Sequence, residues 1–171
     1  MRALADTLWH LRDLLDLLSH RLETEHLLIA SGRIKRLALA VRETDAVLEE
    51  LRAGELARAA EAEAACRVLG LPVEATLAEV AATAPAPWGE ILEGHRDALR
   101  ELATEVATLT ESAAETAGGA TFLDSVRESL GDEAAQNDEL SAAVMELQEM
   151  SRQAAAARGQ VLSKQLRAFL D

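Results

Sequence analysis

A leucine rhythm at the start of the chain restricts the possible folds more than any other feature. Leu4, Leu8, Leu11, Leu15, Leu18 and Leu22 recur at steps of four and three. A second run, Ile34, Leu37, Val41, Thr44, Leu48 and Leu51, resumes the rhythm after an interruption at Ser31-Gly32. Residues so spaced fill the a and d positions of a heptad, line one side of a helix and need a partner helix to cover them. Glycine tolerates the left-handed backbone that ends helices, so Ser31-Gly32 is a reversal point. The pattern predicts a long antiparallel helical hairpin over residues 3–69.

Within the first helix, about 3–30, Trp9, Leu14, Leu17, Leu27 and Leu28 widen the apolar face beyond a two-stranded seam. A face that wide calls for two neighbours, either both within the chain or one from a second copy. Glu25 falls where the heptad expects an apolar residue, which predicts a change of register there. The second helix, about 33–69, opens with Arg33, Lys35 and Arg36. These cations oppose their own helix dipole and favour the C-terminus of the first helix. They can serve as charge compensation at the turn or as an anion-binding patch. Gly54 inside this helix costs roughly 1 kcal/mol relative to Ala, which a bend or a close helix contact would explain.

Leu69-Gly70-Leu71-Pro72 supplies a glycine stop and a proline that cannot continue the hairpin. Thr76-Leu77-Ala78-Glu79 has the spacing of a capping box and opens a short helix over about 77–83. Pro85-Ala86-Pro87 closes it, and Pro87 suits the first turn of the next helix. That third segment, 88–130, is helical from about 87 to 117 on Ile91, Leu92, Leu99, Leu102, Val106 and Leu109. It resumes over Thr121–Leu130 after Gly118-Gly119, where the helix either bends or breaks. Gly131-Asp132 gives a break and a cap for a last amphipathic helix over 133–169. The expectation is all-α: one elongated, coiled-coil-like helical domain spanning 1–171, with 70–87 as a connecting segment.

Composition agrees. With two Trp, two Phe and no Tyr, the core of this 171-residue chain must be aliphatic, and no alternating β-branched runs argue for strands. The net charge of −13 is uneven: residues 71–132 hold twelve acids and three bases (Arg96, Arg100 and Arg127). Such a surface repels phosphate backbones and anionic lipids, which argues against nucleic acid as a partner. Cys66 is the single cysteine, so no intramolecular disulfide forms. No apolar run approaches the roughly 20 residues that span a bilayer. The start, with Asp6, Asp13 and Asp16 among its leucines, is unlike a signal peptide. The expected location is the cytoplasm.

Motifs for chemistry are missing. Glu23-Thr24-Glu25-His26 has the Glu-x-x-His spacing of di-iron bundles, but His10, His20 and His95 have no Glu three residues before them. Cys66 lacks zinc-finger companions. The chain has no nucleophile elbow, dinucleotide fingerprint or P-loop. The reading is a non-enzyme without metal or cofactor, whose available chemistry is burial of apolar helix faces against a partner. Trp9 and Trp88 are expected in the core, and the acidic face of 71–132 is read as solvated surface.

Several ordered segments carry a resemblance. They are Leu8-Trp9, Leu14-Leu15-Asp16-Leu17-Leu18, Arg21-Leu22-Glu23-Thr24-Glu25, Ala30-Ser31-Gly32-Arg33 and Ala40-Val41-Arg42-Glu43. Further along come Leu69-Gly70-Leu71-Pro72, Ala75-Thr76-Leu77, Ala84-Pro85-Ala86-Pro87-Trp88-Gly89 and His95-Arg96-Asp97-Ala98-Leu99. Together these 115 N-terminal residues resemble the FlgN family of flagellar export chaperones, in its actinobacterial form. The ending, Val161 to Leu170, is similar to the tail of such proteins.

The resemblance implies a cytosolic chaperone of the flagellar type III export route. Its clients would be the hook-filament junction proteins FlgK and FlgL, kept from early assembly, with the export gate or export ATPase as further partners. In the family the C-terminal amphipathic region captures client. Here that maps onto Leu140, Val144, Leu147, Met150, Val161, Leu162, Leu166 and Phe169. A stripe of this kind is most often core packed on the chain's own hairpin, and it can serve as both in turn. A helical adaptor without an export client is the alternative that the helix pattern alone allows.

Overall fold

A computed structural model of the protein describes residues 1–31 and 33–118, together with Met145, Glu149, Gln153, Ala156, Ala157, Gly159 and Gln160. Four helices order the continuous part: α1 (Arg2–Ala30), α2 (Ile34–Leu69), α3 (Leu77–Thr83) and α4 (Trp88–Gly118). No strand occurs among the described residues, so the fold is all-α as expected.

The leucine rhythm explains how the helices pack. Leu4, Leu8, Leu11, Leu15, Leu18 and Leu22 are each at most 4% exposed, and α1 lies against both α2 and α4. Each leucine so buried contributes about 1.5–3 kcal/mol relative to an exposed one. α2 runs antiparallel to α1: Arg21 donates to Glu43 at 2.7 Å, while Gly54, further along α2, faces Leu11 and Leu14. α4 runs parallel to α1, since Arg12 meets His95 at 3.5 Å and Ser19 meets Glu105 at 2.7 Å. The two neighbours demanded by the wide face of α1 both come from this chain.

Local signals set the helix ends. Gly70 closes α2 at φ 71°, where its missing Cβ removes the steric cost of the left-handed region. The capping box is formed: the Glu79 amide donates to the Thr76 hydroxyl at 3.3 Å, and the Thr76 amide to the Glu79 carboxylate at 2.7 Å. Pro87 stands just before α4, not within its first turn, and its carbonyl accepts from the Ile91 amide at 3.3 Å.

Three expectations need correction. Glu25 does not shift the heptad: it is buried at 5% exposure between buried Leu22 and Ile29, so the register runs through it. Trp9 is 57% exposed; Leu17 and Leu27 are also exposed, and the extra width of α1 comes from Ala5, Leu14, Ser19 and Ile29. Trp88, by contrast, packs half-buried against the core as expected. Ile91 points partly to solvent, and the core place beside Leu92 goes to His95. The segments expected over Thr121–Leu130 and 133–169 lie almost wholly outside the described residues.

Close approach accounts for two glycines. A Cβ on Gly54 would stand 2.8 Å from the Leu11 Cδ2 methyl, so this glycine marks a close α1–α2 contact. A Cβ on Gly89 would meet the Ala81 carbonyl oxygen at 2.8 Å, and backbone there cannot move aside without displacing α3. Gly94, on the same helix, has nothing within 4 Å. Gly94→Ala should therefore raise stability by about 0.5–1 kcal/mol. Gly89→Ala should lower it by about 1–3 kcal/mol. Urea unfolding of both variants checks this; shifts of the same sign would contradict the packing described.

Candidate functional site

The parallel pair α1 and α4 leaves a cleft of about 460 Å³ along its outer side. α1 contributes Trp9, Arg12, Asp13 and Asp16; α4 contributes Ala98, Glu101, Leu102 and Glu105. The helical period explains this selection. Leu8, Leu11, Leu15 and Leu18 take the buried side of α1, so Trp9, Asp13 and Asp16 fall on the side turned away. On α4, burial of Leu99, Ala103 and Val106 likewise turns Glu101 and Glu105 outward.

Four carboxylates therefore face one guanidinium across a groove with an exposed indole at its rim. Asp13, Asp16 and Glu101 form no ion pair among the described residues, whereas Glu105 accepts from the buried Ser19 hydroxyl at 2.7 Å. Behind the groove, His95 is 7% exposed with its ring nitrogen 3.5 Å from the Arg12 guanidinium. Burial, then the Arg12 charge, hold the His95 pKa below its ordinary 6.5, so the imidazole is neutral at pH 7. A neutral His95 can accept a hydrogen bond from Arg12, while a protonated one would repel it.

The arrangement presents carboxylates and an exposed indole at one surface. No group of three His, Cys, Asp or Glu side chains able to hold a metal occurs among the described residues. Glu23 is exposed, His26 is half-buried and Cys66 is a buried free thiol. No described helix is long and apolar enough to cross a membrane.

The sequence-predicted client residues Leu140, Val144, Leu147, Met150, Val161, Leu162, Leu166 and Phe169 lie outside the described residues. Their described neighbours Met145, Glu149, Gln153, Ala156, Ala157, Gly159 and Gln160 are helical. All are exposed except Gly159, where a Cβ would lie 3.5 Å from Thr110 Cγ2 on α4. The groove itself escaped the sequence reading, because Trp9 was assigned by its hydrophobicity. The acids at 13 and 16, three or four residues from Trp9 or from each other on the same helix side, were the available signal.

A family model described as FlgN protein matches residues 1–117, which takes in α1 to α3 and all but the last residue of α4. No curated protein and no solved structure matches the chain.

The buried His95 gives the scaffold a defined pH response. Its folded pKa lies below 6.5, so the unfolded chain binds more protons in the window beneath that value. Stability is then complete above about pH 6.5 and falls as the pH drops through the lowered folded pKa. The Glu79 carboxylate, whose pKa is lowered by its hydrogen bonds to Thr76, adds a separate loss only below 4.5. Chemical denaturation at a series of pH values between 7.5 and 5 should show falling midpoints for the wild type and a flatter profile for His95→Gln. Identical slopes for the two would contradict the assignment to His95.

Proposed function

Since this chain belongs to the FlgN family, a family of flagellar export chaperones and not of enzymes, we propose that it binds hook-filament junction proteins of the FlgK/FlgL type in the cytoplasm. On this reading it keeps them from assembling early and delivers them for secretion. The observation that carries the reading is the family match across the whole α1–α4 scaffold.

Client capture falls to the C-terminal stripe Leu140, Val144, Leu147, Met150, Val161, Leu162, Leu166 and Phe169. Two features support this assignment. The scaffold has already buried its own Leu4–Leu22 stripe, so that stripe is not open to a client. The described residues beside the stripe, Met145, Glu149, Gln153, Ala156 and Ala157, are exposed. A disordered client terminus that folds onto an amphipathic helix gives up ordering entropy on binding, which moderates affinity and favours release. Release is what export requires. Residues 1–171 act here as one functional domain, with a rigid hairpin-based body and a capturing tail.

Co-expression and co-purification with a junction protein test the reading. The intact chain should form a complex. Leu162→Asp combined with Leu166→Asp and Phe169→Asp should weaken it by more than about tenfold. Circular dichroism of that variant should show the scaffold helices unchanged. Binding unaffected by the triple substitution would move the client site elsewhere, and no binding by the intact protein would leave a helical adaptor without an export client.

A further inference from the structure

We propose that the outer groove between α1 and α4 is a second docking site, built for a basic amphipathic segment of another protein. Its occupant is a helix presenting two Arg or Lys side chains about one turn apart beside an apolar anchor. The inference is independent of how the client is held.

Three observations carry it. The first is charge. Asp13, Asp16, Glu101 and Glu105 line a cleft whose one basic side chain is Arg12, so the lining holds a net charge of −3 (four acids against one base). Asp13 and Asp16 are three residues apart, as are successive outward positions on a helix, and Glu101 and Glu105 are four apart. Two parallel rows of carboxylates at helical spacing match cations at the same spacing on a helix laid between them.

The second is Trp9. An indole that is 57% exposed at the rim of such a groove is an apolar surface that the protein's own fold does not use. Tryptophan concentrates binding energy where a partner covers it, and its ring face also attracts Arg and Lys. Half-buried Leu102 gives the floor of the groove an apolar strip opposite it. A volume of about 460 Å³ accommodates a pair of long side chains, and lies within the roughly 300–1,000 Å³ range of binding clefts.

The third is position. Gly159 meets α4 at Thr110, on the side that carries Ala103 and Val106 toward the core. Thr110 is five residues from Glu105, or roughly 140° around the helix. Gly159 therefore meets α4 on a side turned away from the groove residue Glu105.

The two indole N–H signals of the isotopically labelled full-length protein provide the test, with Trp88→Phe identifying the Trp9 signal. The probe is an eighteen-residue amphipathic peptide of Leu, Ala and Arg, with arginines at i and i+4. Its controls are the same peptide with Glu for Arg and an oligolysine of equal charge. The account expects a saturable shift of the Trp9 signal with the arginine peptide alone, weakened several-fold in Asp13→Lys/Glu101→Lys, neither of which forms an ion pair among the described residues. No shift would overturn the proposal. So would equal binding of oligolysine, or equal binding by the charge-reversed variant, since either means only attraction to a chain of net charge −13.

Discussion

The leucine stripe of α1 is the interaction on which the rest of the structure depends. One helix is shared by two partners: α2 returns along it antiparallel and α4 runs along it parallel. Because Leu8, Leu11, Leu15 and Leu18 are wholly covered, neither partner can leave without exposing the same residues to water. The connecting segment serves this geometry. α3, begun by its capping box and ended at Pro85, brings the chain back so that α4 starts beside the beginning of α1. Gly89 allows that junction to close, as any side chain there would strike the Ala81 carbonyl.

Four polar side chains of this interior have partners close by. The Thr44 and Thr110 hydroxyls donate to carbonyls one turn back, Ala40 and Val106, at 3.1 and 2.7 Å. Ser19 finds Glu105 across the α1–α4 seam, and His95 faces Arg12. These two contacts fix the register of parallel helices that an aliphatic core alone would let slide. They also lie beside the outer groove, so the polar face of the scaffold and its alignment rest on the same residues. Apolar burial thus supplies stability on one side of α1, while charge and an exposed indole stand on the other.

Much of this was legible in the sequence, for a physical reason. Heptad spacing reports which side of a helix is buried, and every member of the Leu4–Leu22 line is buried. Thr76 with Glu79 and Gly70 are local devices whose geometry depends on few neighbours. Sequence reasoning failed where residue type and position disagreed. Trp9 is large and apolar, yet its place in the helical period puts it with Asp13 and Asp16; position decided. Glu25 is charged but sits in the heptad line, and again position decided. Ile91, expected in the apolar line, points partly to solvent while His95 is buried, for the same reason. The groove was invisible because it joins residues some ninety positions apart, and only the parallel docking of α4 brings them together. The residues expected to hold client, Leu140 to Phe169, are legible as a stripe, but a stripe does not say whether its partner is the same chain or another.

The central claim is a division of labour between a body closed around α1 and a tail that takes the client. Hydrogen exchange of the full-length chain, with and without the terminal segment of a junction protein, tests it most directly. The account predicts that the α1 amides exchange slowest in both states and at unchanged rates, with altered protection confined to residues 133–171. Client-dependent changes centred on the α1–α2 hairpin, with none in the tail, would contradict it.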